Sequence, residues 1–175
     1  MKGLFLLAAA STLSLSASAA TYFNCATDSG CVPAGSVSVH SSYAKTNHPI
    51  VLAHGMGAFG SIGPVSSWYA IPEDLTKNGA TVYSTKVSSI ESSEVRGEQL
   101  LRQVQVIAAI TPTRKVDLIG HSHGGQSVRY VMGVAPQHVA SVTTIASPHK
   151  GTPIADAVLG VMAADRSRLV VPAAL

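Results

Sequence analysis

Apolar residues along the chain fall into short dense runs that alternate with longer stretches of helical spacing. Four runs are compact and rich in β-branched residues: Pro49 to His54 (PIVLAH), Ala80 to Val87 (ATVYSTKV), Val116 to Gly120 (VDLIG) and Val139 to Ser147 (VASVTTIAS). Their length suits buried strands, and turn residues such as Asn78-Gly79 punctuate them. Between them, Trp68 to Lys77, Ser93 to Ile110 and His123 to Val134 are the predicted helices; in the second, Leu100, Val104, Ile107 and Ala108 share a face. Strands alternating with helices build right-handed βαβ units, so the expected class is α/β, a mostly parallel sheet with helices on both faces. The chain has no internal repeat and no low-complexity linker, and serine-rich Ser36 to Ser42 is expected to join an N-terminal segment to the first strand.

Composition narrows the class without changing it. With 175 residues, 46% hydrophobic and 12% charged, the chain suits one globular domain with a real core. The first twenty residues stand apart: Lys2 gives a basic start, Leu4 to Ala10 an apolar run, and Ala17-Ser18-Ala19 a small-residue cleavage signal near Ala19 or Ala20. This is the pattern of a secretory signal peptide. A membrane anchor is the rival, but the run is too short to span a bilayer and Ser11, Ser14 and Ser16 dilute it. Removing those twenty residues leaves an exported chain of about 155, with an N-terminal extension (21–42) ahead of one α/β domain (43–175).

The net charge of +3 falls to +2 without Lys2, and the cations are scattered, which argues against a nucleic-acid partner. Cys25 and Cys31 are the only cysteines. In an oxidising compartment a pair so close closes a small loop as a disulfide; two free thiols are the alternative, and no further ligand joins them to suggest zinc.

The densest chemistry is IGHSHGG, Ile119 to Gly125, at the end of the third predicted strand and the start of the third helix. Open α/β sheets carry their sites at such strand ends. GxSxG alone is a weak signal, but in a strand–turn–helix setting it describes a nucleophile elbow: Gly120 and Gly124 permit the tight turn, and Ser122 is forced into a strained conformation with its hydroxyl above the sheet. Ser122 is thus the expected nucleophile. The adjoining helix N-terminus favours the negative charge of acyl transfer.

The first strand ends in HGMGAFG, where this architecture builds the other half of an oxyanion hole, so the backbone N–H groups of Met56 and His123 are the expected donors. His54 reads as a base or ligand, or as a residue fixing that loop by hydrogen bonding, with the last favoured. His121 and His123 form an HxH pair but lack a third ligand nearby in sequence. His40, His48 and His138 join no constellation.

Tyr43 to about Asp156 resembles the secreted bacterial triacylglycerol lipases of the Pseudomonas and Burkholderia type. The segments HPIVLAHGM, WYAIPEDLTKNGATVY, SSEVRGEQLL, KVDLIGHSHGG and ASPHKGTPIAD stand in that family's order. The resemblance implies an α/β-hydrolase fold, hydrolysis of long-chain acylglycerols at a lipid interface, Ser122 as nucleophile, and Met56 and His123 as oxyanion donors. It also implies a steric chaperone that assists folding and a structural calcium ion, with no cofactor for catalysis.

Beyond Asp156 the likeness fades. Family members continue for more than a hundred residues that supply the lid, the calcium ligands, and the acid and base of the triad. In this architecture the triad runs Ser, then Asp or Glu, then His; after Ser122 the carboxylates are Asp156 and Asp165, with no histidine following either. His149 is the best-placed alternative base, although SPHKG aligns with a non-catalytic family segment, and Asp117 lies inside a strand. The expectation is a lipase-type serine hydrolase cut short at its C-terminus. A non-catalytic lipid- or chaperone-binding remnant and a different serine esterase, such as a polyester depolymerase, are the alternatives.

Overall fold

The computed structural model describes residues 18–26, 30–57, 61–62, 65–153, 155–157 and 160. Most of the predicted signal peptide and Asp165 therefore lie outside the described residues. In chain order the elements are β1 (Ala19–Ala26), β2 (Gly30–Ser38), β3 (Ile50–Ala53), β4 (Ser61–Ile62), β5 (Val65–Ser66), α1 (Ile71–Lys77), β6 (Val82–Thr85), α2 (Ser93–Ile110), β7 (Val116–His121), α3 (Gly124–Val134) and β8 (Val139–Ile145), with a 3-10 turn at Pro136–His138.

Six strands form one sheet in the order β2-β1-β6-β3-β7-β8, and β4 pairs with β5 apart from it. Only the β1–β2 pair is antiparallel within the large sheet. β3 is central and buried along its whole length, and its alternation assigns the two faces. Val51 and Ala53 pack with Leu100, Val104 and Ile107 of α2 and Val128 and Val131 of α3. Ile50 and Leu52 pack on the opposite face with Trp68, Ala80, Val82 and Leu75 of α1. Helices cover both faces, as the sequence pattern requires.

α2 occupies the predicted residues because its ends are chemically marked. Ser92 caps it by accepting the Val95 N–H, and Thr111 turns extended ahead of Pro112. α1 begins three residues later than expected, since Ala70 takes a left-handed conformation (φ 61°) that no helix continues.

The region before β3 differs from its expectation. Ser36, Val37 and Ser38 belong to β2 rather than to a joining segment, and β1 and β2 form a hairpin that enters the main sheet beside β6. Period-two alternation explains this: Phe23 and Cys25 join the core on the α2 face while Tyr22 packs on the other. The Phe23 ring stacks on Tyr83 at 4.9 Å, and the expected Cys25–Cys31 disulfide joins residues paired directly across the hairpin.

Candidate active site

The C-terminal ends of β3, β6, β7 and β8 lie along one edge of the sheet, and β7 passes into α3 through only Ser122 and His123. Ser122 sits there with φ 54°, in the left-handed region that costs a side chain about 1–2 kcal/mol. Two glycines make that turn possible. A Cβ on Gly120 would stand 2.5 Å from the Gly124 carbonyl oxygen, and one on Gly124 would stand 2.1 Å from that of Ala53. The strained residue is tied down on both sides: its N–H donates to Ile145 at 2.9 Å and its carbonyl accepts the Gly125 N–H at 3.0 Å. The loop after β3 presses against it, since a Cβ on Gly55 would lie 2.8 Å from Ser122 Cβ and 3.2 Å from its Oγ. Ser122 is half-buried, and exposed Met56 follows in the same loop.

The histidines diverge from the serine they surround. His54 is 1% exposed, and its Nε2 accepts the Val87 N–H at 3.2 Å. Its proton therefore resides on Nδ1, which donates to the Gly55 carbonyl at 2.9 Å. Burial foremost, then the Arg96 cation, pushes its pKa below the usual histidine value. Both ring nitrogens thus fix backbone, the loop-fixing role rather than that of a base. His123 opens α3 with its ring turned to α2: Nε2 meets the Ser93 hydroxyl at 2.8 Å, Ser93 donates to Gln126 Oε1 at 3.3 Å, and Gln126 Nε2 donates to the Pro148 carbonyl at 3.0 Å. Burial, then Arg96, lowers its pKa as well. His121 is exposed and meets Trp68 edge-on at 6.2 Å, so the HxH pair does not converge.

His149 is exposed in the loop after β8. Its Nδ1 accepts from Arg129 at 3.1 Å and its Nε2 donates to Thr144 Oγ1 at 3.0 Å, so neither nitrogen is bonded to Ser122. Asp117 accepts from Ser141 at 2.6 Å, five residues and roughly 16 Å back along β7 from Ser122. Asp156 is exposed on the last described turn. Among the described residues no three His, Cys, Asp or Glu side chains cluster as a metal group. Those residues do not fit the calcium that the resemblance implies.

Beneath the loops lies a residue that sequence reasoning left without a role. Arg96 of α2 is fully buried, donating Nη2 to the His54 carbonyl at 2.7 Å and Nη1 to the Ser88 carbonyl. A buried cation on carbonyl oxygens locks the backbone on either side of it. The sequence signal was its position on the inward face of α2, one turn before Leu100.

Residues 48–170, more than half of the chain, match the α/β hydrolase fold family. The chain belongs to that family. Among its curated relatives, the chain is 51% identical over 120 residues to the triacylglycerol lipase of Vibrio cholerae, covering 69% of this chain and 38% of that one. It is 46% identical over 132 residues to the triacylglycerol lipase of Burkholderia plantarii, covering 73% and 37%. With that of Pseudomonas fragi the identity is 38% over 112 residues, covering 64% and 38%. The chain spans about two-fifths of the length of these relatives.

Proposed function

We propose that this chain carries the nucleophile and the oxyanion hole of an exported triacylglycerol lipase. The observation that carries the reading is the strained Ser122 elbow with Gly55 packed against its side chain. In this reading Ser122 Oγ attacks the ester carbonyl carbon as a base removes its proton. The carbonyl oxygen becomes an oxyanion held by the N–H groups of Met56 and His123, and collapse of the tetrahedral intermediate expels the alcohol, which takes up the proton. Water then cleaves the acyl-serine by the same steps.

The base is the missing partner among the described residues, because the histidines nearest in sequence or fold are bonded elsewhere. We assign it, with its orienting carboxylate and the calcium ligands, to the part of the relatives' length that this chain does not span. Export fits the Cys25–Cys31 disulfide. Folding help from a lipase-specific chaperone belongs to the same proposal.

The test is an assay on p-nitrophenyl and triglyceride esters. The 175-residue chain and its Ser122→Ala variant are expected to share near-background rates, since losing a triad base costs on the order of a millionfold. Fusing the remaining length of the Vibrio cholerae relative should restore turnover that Ser122→Ala abolishes. Turnover that survives Ser122→Ala in that fusion would remove Ser122 from the role.

A further inference from the structure

In the segment after β6, side chains of other elements hold five backbone polar groups of Lys86, Val87 and Ser88. Gln103 grips Lys86 from both ends, accepting its N–H at 3.1 Å and donating to its carbonyl at 2.8 Å. Gln99 Oε1 accepts the Ser88 N–H at 2.6 Å, Arg96 holds the Ser88 carbonyl, and His54 takes the Val87 N–H. Arg96, Gln99 and Gln103 follow one another at intervals of three and four residues, so they form a single polar stripe on α2. At its far end the segment turns from receiver to support: the Ser89 carbonyl accepts the Gly57 N–H at 2.8 Å. Gly57 directly follows Met56.

We infer that Gln99 and Gln103, together with Arg96, are positioning residues for the oxyanion loop, acting through segment 86–89 on Gly57 and so on the Met56 N–H. The inference rests on the reading of Met56 as an oxyanion donor. Without the stripe, the backbone groups of Lys86 and Ser88 would bond to water and the segment would sample many conformations. Ser89 would then carry the Met56 loop with it, and a misplacement of about 1 Å at a reacting centre costs on the order of a hundredfold.

The two glutamines are not equivalent. Gln99 acts on Ser88 only as an acceptor, which an isosteric carboxylate also supplies. Gln103 donates as well, to Lys86 and to the Gln99 carbonyl, and a carboxylate cannot. Gln99→Glu therefore preserves the strut, whereas Gln99→Met cuts it.

Amide hydrogen exchange on the 175-residue chain tests this. In Gln99→Met, exchange at Gly57 should quicken by about tenfold or more, the loss of one supporting hydrogen bond, while Leu52 and Leu118 in the sheet stay unchanged. In Gln99→Glu, Gly57 should exchange as in the parent chain. The inference falls if Gly57 is unaffected by Gln99→Met, if all amides quicken together, or if Gln99→Glu behaves like Gln99→Met. Exchange at Gly57 needs no nucleophile, so its outcome is separate from that of the Ser122 assay.

Discussion

The two sides of Ser122 are built from different material. In the function proposed above, one side receives negative charge on backbone N–H groups, and three contacts among the described residues support them: Gly55 against the serine, Arg96 under the loop, Ser93 on the His123 ring. The same proposal asks a side chain to receive a proton, and His149, in the loop after β8, is bound to Arg129 and Thr144 instead. Charge stabilisation made of main chain is complete once a few βα units fold. Proton transfer needs a particular imidazole at a particular height above the sheet, and among the described residues β8 is the edge strand beside β7, followed by an exposed loop.

The sharpest way to break this contrast is to spoil the backbone side sterically. Gly124→Ala should cost about 3 kcal/mol or more, because its Cβ would meet the Ala53 carbonyl oxygen at 2.1 Å, and thermal melting would show it as a large fall in midpoint. A near-normal melt would mean that the elbow relaxes and that its steric logic is wrong.

Arg96→Met comes next, at about 2 kcal/mol. It keeps the stem but strips donors from two carbonyls, those of His54 and Ser88. Denaturant titration should show a lower midpoint with an unchanged slope.

A smaller effect separates the two sides by pH. His54 is held neutral in the fold, below its ordinary value, so the unfolded chain takes up its proton first. Its contribution is complete above about pH 6.5 and is lost progressively as pH falls below that toward the folded value. His123 adds in the same direction. Melting temperatures measured at about pH 7.5 and about pH 5 should therefore decline with acid, and less steeply in His54→Gln. A fold that gained stability in acid would contradict the tautomer deduced for His54.

The smallest expected effect is the most diagnostic. His149→Ala should change stability by within about 0.5 kcal/mol and leave ester turnover of the chain where it was. A Ser122-dependent rate that vanished with His149 would make this loop the proton-accepting side after all.

The parallel strands, the bounds of α2 and the serine elbow were legible because each is written locally, in runs, caps and glycines. The α2 stripe was not. SEVRGEQLL could be recognised as a family signature, yet Arg96, Gln99 and Gln103 gain meaning only from the carbonyls and amides of 54 and 86–88 that the sheet brings to them. The hairpin was missed for another reason: Cys25 and Cys31 were noticed as a pair, but the alternation of Tyr22, Phe23 and Cys25 is too short to outweigh the serines that follow. Ala70 shows the limit on boundaries, since nothing in its side chain announces a left-handed residue.

The hairpin joins a local link to a long-range docking. β1 pairs with β6 across the whole of β3 and α1, so this docking closes a long stretch of chain and is intrinsically slow. The Cys25–Cys31 link spans six residues and needs none of that chain. Where oxidation comes before docking, Phe23 arrives at Tyr83 on a preformed ribbon rather than on a loose thread. In a reducing solution the same docking would have to fix both strands in one step, and refolding, rather than the folded sheet itself, would register the missing bond.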